Sequence, residues 1–217
     1  MATKKKKITQ EDIIAKYMDY VLEHESEPKT VYKFCKVSSI TEEDFYCFYS
    51  SITSLKKGIW DAFFTSTMSL MEKNKEYTTF TNREKLLTFF YTFFETLTLN
   101  RSYVLFSLSQ SKNQLKNLEQ LKGLRKHFKE FTKGLINHGN EQKSSKITQH
   151  NPTIFSEGAW LQLLFLLRFW TKDESKGFEK TDLAIEKSVN TVFDLFDNTP
   201  LENIVDFGKF LYKETFA

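Results

Sequence analysis

TVYKFCKVSSITEEDFYCFYSS, residues 30 to 51, decides how this chain is read. Thr30 stands before a short run, Val31 to Val37, that ends at Ser38-Ser39. Thr41 stands before a second run, Glu42 to Tyr49, that ends at Ser50-Ser51. A threonine at such a position offers its side-chain oxygen to the orphan N–H groups of a first helical turn, so each run is predicted to be a short capped helix. Longer helices are predicted on both sides. Residues 9 to 24 carry a Thr9 cap, Glu11 and Asp12 where the helix dipole favours acids, and Ile13, Ile14, Tyr17, Tyr20 and Val21 at helical spacing. Ser26-Glu27-Pro28 breaks that run, and a further helix is predicted from Thr53 to Asn74. Two short helices joined by a tight turn and flanked by longer ones form the helix-turn-helix pattern.

The rest of the chain supports an all-α fold. Only 7 glycines and 3 prolines occur in 217 residues, beside 22 phenylalanines and 9 tyrosines. Breaker-poor sequence of this kind reads as helical. Helices are predicted over 82–97 with Asn82 as cap, 100–110, and 113–138, the last amphipathic through Leu115, Leu118, Leu121, Leu124, Phe128, Phe131 and Leu135. A polar stretch, 139–153, reads as a loop. An apolar helix, 153–172, follows, then one over 181–197 capped by Thr181, and a last one over 201–215. Two domains are expected: a head at 1–60 with a basic arm, and a larger helical domain at 61–217.

Several classes are excluded. The most apolar stretch, Ala159 to Trp170, is interrupted by Gln162 and Arg168 and is shorter than the ~20 residues a bilayer span needs. No apolar region follows the basic start, so no secretory leader is expected, and the expected location is the cytoplasm. Cys35 and Cys47 show no metal or disulfide spacing and read as buried thiols. The 4 histidines, among them His127 and His138, show no ligand spacing, so neither a metal nor a cofactor is expected. No nucleophile elbow, P-loop or dinucleotide fingerprint occurs, so the chain is not read as an enzyme.

From Ile13 to Trp60 the sequence resembles the TetR family of bacterial regulators. Thr30-Val31-Tyr32-Lys33-Phe34-Cys35-Lys36 is similar to the family's TV-x-x-IAK helix. Ile40-Thr41 matches the VS that opens the recognition helix, and Phe45 to Tyr49 matches LY-x-x-F. Ser50 to Leu55 matches x-S-K-x-x-L at the start of the fourth helix. The resemblance implies an N-terminal DNA-binding head, a larger C-terminal domain that binds a small ligand, and a homodimer. The dimer would form through the helices at about 153–172 and 181–197. Ala159, Leu163, Leu166, Leu167 and Trp170 give the first of these more apolar surface than one neighbour needs.

The departures concern DNA. The family has glycine at the positions of Glu25, Ser39 and Glu43, and its fourth-helix lysine is Ile52 here. From Ile8 to Trp60 there are six lysines and nine acids, a net charge of −3. Only Lys4, Lys5, Lys6 and Lys7 bring the head to +1. Duplex affinity comes largely from cations that release counterions from phosphates, so a typical DNA-binding head is clearly positive. The run Glu42-Glu43-Asp44 suits a helix N-terminus and opposes a polyanion.

The residues this reading assigns to DNA are Thr30, Lys33, Thr41, Tyr46, the Lys4–Lys7 arm and Lys56. The aromatic residues assigned to the wall of a cavity for a small apolar ligand are Phe93, Tyr103, Phe106, Phe128, Trp160 and Phe165. The leading expectation is a dimeric transcriptional regulator whose binding to duplex DNA is modulated by that ligand. The alternative is a protein of the same shape that binds a ligand, a lipid or a protein partner and has lost DNA.

Overall fold

The computed structural model describes residues 7–110, 117–141, 150–198, 209, 210 and 213. They form nine α-helices and no strand. In chain order these are α1 (Gln10–His24), α2 (Val31–Val37), α3 (Glu42–Tyr46), α4 (Ile52–Glu72), α5 (Asn82–Leu99), α6 (Arg101–Ser109), α7 (Lys122–Glu141), α8 (Pro152–Thr171) and α9 (Glu179–Asn198). The predicted helix at 201–215 lies largely outside the described residues. None of the described helices is long and apolar enough to cross a membrane. The chain divides into two compact units, Met1–Ala62 with Asn100–Gly123, and Phe63–Leu99 with Leu124–Ala217.

In the first unit, α1 packs on α6 and α2 on α3. The core is a chain of rings: Tyr17, Phe34 and Phe45 are each at most 1 % exposed. Thr9 and Asp12 form a complete capping box at the start of α1. Thr30 caps α2 and Thr41 caps α3, each accepting from the backbone N–H three residues on. α3 is shorter than the sequence suggested. It stops at Tyr46, after which Phe48 N–H bonds to Phe45 O at 3.1 Å, a tighter turn than an α-helix uses. α4 then leaves beside Tyr49. A Cβ at Gly58 would lie 2.5 Å from the Tyr49 ring, so only glycine admits this approach.

Two of the three glycine-type positions have the backbone that explains the family's preference. Glu25, which ends α1, has φ 49°, and Ser39, in the α2–α3 turn, has φ 54°. A side chain in this left-handed region costs about 1–2 kcal/mol. Glu43 is ordinary helix.

The second unit is held by aromatic burial. Phe89 is fully buried and its ring centroid lies 5.0–5.8 Å from those of Phe64, Phe90, Phe93, Phe128 and Phe131. α9 packs on both α5 and α8. Arg83 of α5 reaches Asn190 and Asp194 of α9 at 3.1 and 2.8 Å. Glu157 of α8 pairs with Arg125 and Lys129 of α7. Burial raises the Glu157 pKa, but these cationic hydrogen bonds outweigh it and leave it lowered.

Two caps differ from the sequence reading. Thr81, not Asn82, opens α5: its N–H donates to Glu84 Oε2 at 2.7 Å while its hydroxyl accepts from Glu84 N–H. Asn82 instead donates to Leu135 O at 2.7 Å. At α9, Thr181 is held rather than capping. Its N–H and hydroxyl both donate to Asp173 Oδ2, at 2.9 and 2.7 Å, while Ser175 donates twice to Oδ1. Burial works against the Asp173 charge, yet the four donors hold its pKa at about 2.

Ala159, Leu163, Leu166, Leu167 and Trp170 are already covered within the chain, each at most 3 % exposed. Trp170 alone meets Phe94, Phe178 and the Thr98 hydroxyl. Among the described side chains of this pair of helices, the large apolar ones that are exposed are Phe165, Phe169 and Leu183.

Candidate nucleic-acid interface

The α2–α3 turn is fixed from three sides. Phe34 and Phe45 meet edge to face at 6.0 Å. Lys16 of α1 donates to Ser38 O at 2.9 Å. Ile40 N–H bonds to Cys35 O at 3.0 Å. These contacts set two short helices against each other and leave their outer faces in solvent.

Thr30, Lys33, Thr41 and Tyr46 all reach that surface. Tyr46 is 52 % exposed and Tyr32, which the sequence reading passed over, 58 %. Val37 and Phe48 are exposed beside them. Lys56 is different: it is half-buried and paired with Glu27, so its charge is committed within the head. Lys16 is committed to Ser38. The exposed lysines of the described head are therefore Lys7, Lys29, Lys33 and Lys36. Lys4, Lys5 and Lys6 lie outside the described residues.

The acids of α3 divide in their roles. Asp44 accepts from the Thr41 hydroxyl at 2.6 Å, and Thr41 accepts from Asp44 N–H at 3.0 Å. Asp44 therefore serves the helix start. Glu42 and Glu43 are exposed, and among the described residues no cation pairs with either. Their field is felt nearby. Burial first, then Glu42 and Asp44, push the Cys35 thiol above its ordinary range. Cys35 is buried, as read from the sequence, but Cys47 is exposed at the end of α3. The position follows from the early end of the helix: Cys47 sits on the outer side of the turn, and Tyr49 takes the inward place.

The six expected ligand-wall residues are divided between the two units. Tyr103 and Phe106 belong to the first unit, and the other four to the second. Phe93 and Phe128 are part of the packed ring cluster around Phe89. Trp160 is nearly buried. Phe165 is 48 % exposed and, with Phe169, Arg168, Lys172 and Lys180, lines an open cleft of about 450 Å³. Tyr103 packs on Tyr17, ring centroids 6.4 Å apart. His127 stacks on Phe64, and among the described residues no group of metal ligands occurs.

A helix-turn-helix joined to a helical second unit defines a class of regulator-like proteins, and the comparisons identify the family. The tetracycline repressor-like C-terminal domain matches residues 85–211, well over half of the chain. The chain belongs to the TetR family. Among solved structures, a protein from Syntrophomonas wolfei str. Goettingen assigned to the TetR-family transcriptional regulators is similar, with a TM-score of 0.67 over 84 % of this chain and 93 % of that one. Identity is 13 %, so the likeness is one of fold. No curated protein matches the sequence.

Proposed function

We propose that this protein is a dimeric transcriptional regulator that docks α2 and α3 on duplex DNA and is modulated by a small apolar ligand. The observation that carries the reading is the α2–α3 turn, pinned by Phe34, Phe45 and Lys16 with the outer face of α3 in solvent. A helix held this way can enter a major groove, and two copies in a dimer meet successive grooves ~34 Å apart. Thr30, Lys33, Thr41 and Tyr46 are the contacts on the head, and the Lys4–Lys7 arm adds phosphate contacts. Lys56 is the weakest of the assigned residues, since Glu27 already holds it.

The second copy packs on α8 and α9, where Phe165, Phe169 and Leu183 are the large apolar side chains left uncovered among those described. The ligand acts by changing how the two heads match their grooves. The competing reading, a protein of this shape that has left DNA, draws on Glu42 and Glu43, which face solvent without a cationic partner among the described residues.

The test is recovery of sheared genomic DNA by the purified protein, repeated with residues 1–7 deleted. A few palindromic sites that survive the deletion support reading by α3. Enrichment that ignores sequence and vanishes with the arm, or no retention at low salt by a folded dimer, overturns it.

A further inference from the structure

Two exposed acids of the head, Glu42 and Glu43, have no cationic partner among the described residues. They share one face of α3 with Tyr46, which follows them by four and three residues and is itself exposed. The lysines nearest to hand in the folded head are engaged elsewhere: Lys16 with Ser38 O and Lys56 with Glu27. The longest run of one charge in the head is Lys4 to Lys7, and Lys7 stands exposed just before α1. An acidic face without a partner and a basic arm are thus carried by the same unit.

The fold starts the arm within reach of that face. Gln10 Nε2, in the first turn of α1, donates to the Tyr49 hydroxyl at 3.0 Å. From the Tyr49 ring, the centroids of Phe45 and then Tyr46 follow at steps of 6.1 and 5.5 Å. Six residues separate Gln10 from Lys4, and that length of extended chain spans ~20 Å before the lysine side chain is added. The arm therefore reaches Tyr46 even with those steps laid end to end. Tethered lysines stand at an effective concentration on the order of millimolar, so even weak surface ion pairs hold them. The Tyr46 ring beside the acids offers an ammonium a further face.

We propose that Glu42, Glu43 and Tyr46 hold the chain's own Lys4–Lys7 arm in the DNA-free protein. The acids of α3 then stand in for phosphates, and the arm leaves them for the duplex when the head docks. While it is held, the arm cannot gather arbitrary DNA, so the acids restrain sequence-blind binding. The contact stands on the charges and the reach alone, and its consequence for DNA rests on the reading of the chain as a regulator.

Cys47 reports on the contact, because it is exposed at the end of α3 and the other cysteine, Cys35, is buried. Its alkylation is timed with iodoacetate, an anion, and with iodoacetamide, the neutral counterpart. A change in thiol ionisation scales both rates alike, so their ratio reads the charge around α3. Wild type, a chain lacking residues 1–7, Glu42→Gln/Glu43→Gln, and the combined variant are compared. At ~0.01 M salt, deleting the arm bares the acids and is expected to lower the iodoacetate-to-iodoacetamide ratio roughly threefold. The same deletion is expected to change the ratio little in the Glu42→Gln/Glu43→Gln chain, or in either chain at ~0.5 M salt. Glu42→Gln/Glu43→Gln is also expected to retain more sheared genomic DNA than wild type at low salt, without regard to sequence and only while it carries the arm.

If deleting the arm lowers the ratio equally in both backgrounds, or in neither, these acids do not hold the arm and the proposal is overturned. The expected ratios in proteins that retain no DNA leave the contact standing and remove the regulator reading. Ratios that ignore Glu42 and Glu43, in a wild type that recovers palindromic sites, remove the contact and leave the regulator reading in place.

Discussion

The turn between α2 and α3 and the ring cluster around Phe89 show two ways of holding helices. In the head, each short helix sends little into the core: Phe34 and Cys35 from α2, Phe45 from α3. Threonine caps and the Lys16 bond to Ser38 supply much of the rest. In the second unit Phe89 alone meets five other rings. A fold that rests on inward rings and backbone caps places few demands on outward side chains. Glu42, Glu43, Tyr32 and Phe48 therefore sit on an intact scaffold, and the surface could depart from a basic pattern without loss of the helices. The acids even strengthen α3, by ~0.3–1 kcal/mol each through the helix dipole, while they oppose phosphate.

The largest effect is expected where burial dominates. Phe89→Ala should cost about 3–5 kcal/mol, as large-to-small changes in packed cores do. Urea unfolding checks this, and a loss below about 1 kcal/mol would break the contrast by showing the cluster to be loosely packed.

Asp173 tests whether the second unit also leans on a polar device. Asp173→Asn places an amide where four donors need an acceptor, and about 2 kcal/mol should be lost at neutral pH. The folded pKa of about 2 lies below the ordinary aspartate value of 3.8. The stabilisation is thus complete above pH 4 and fades as the pH falls towards 2. Unfolding midpoints of the wild type should drop across that window by more than those of the variant.

The smallest effects belong to the head's left-handed positions. Ser39→Gly and Glu25→Gly should each raise stability by about 0.5–1 kcal/mol, since relief of the positive φ outweighs the added freedom of the unfolded chain. A fall in the chemical-denaturation midpoint for either would show that its side chain contributes a contact worth more than the strain.

What could be read in the sequence follows the range of the interactions. Thr9, Thr30 and Thr41 each act on a backbone N–H three residues away, so a local pattern revealed them. Thr81-Asn82 offers two good caps side by side, and sequence alone could not choose between them. Asp173 holds Thr181 across eight residues and a 3₁₀ turn, beyond any local signal. The pairing of Lys56 with Glu27 is likewise remote in sequence.

Composition marked the phenylalanines as abundant. It could not tell Phe93, which is packed, from Phe165, which is exposed, because both lie on apolar helical text. Tyr103 lies on similar text, and its place against Tyr17 emerges only when α1 and α6 are brought together.

The central claim is that α3 still meets DNA despite its acids. It is tested most directly by the double variant Glu42→Gln/Glu43→Gln, with duplex affinity measured against salt concentration on a genomic site recovered by the wild type. If α3 lies against the duplex, removing two negative charges from its first turn strengthens binding. The gain is expected to be about tenfold or more at low salt and to shrink as salt is raised. An affinity that stays the same at every salt concentration, in a variant that is folded and dimeric, would contradict the account and place the acidic helix away from DNA.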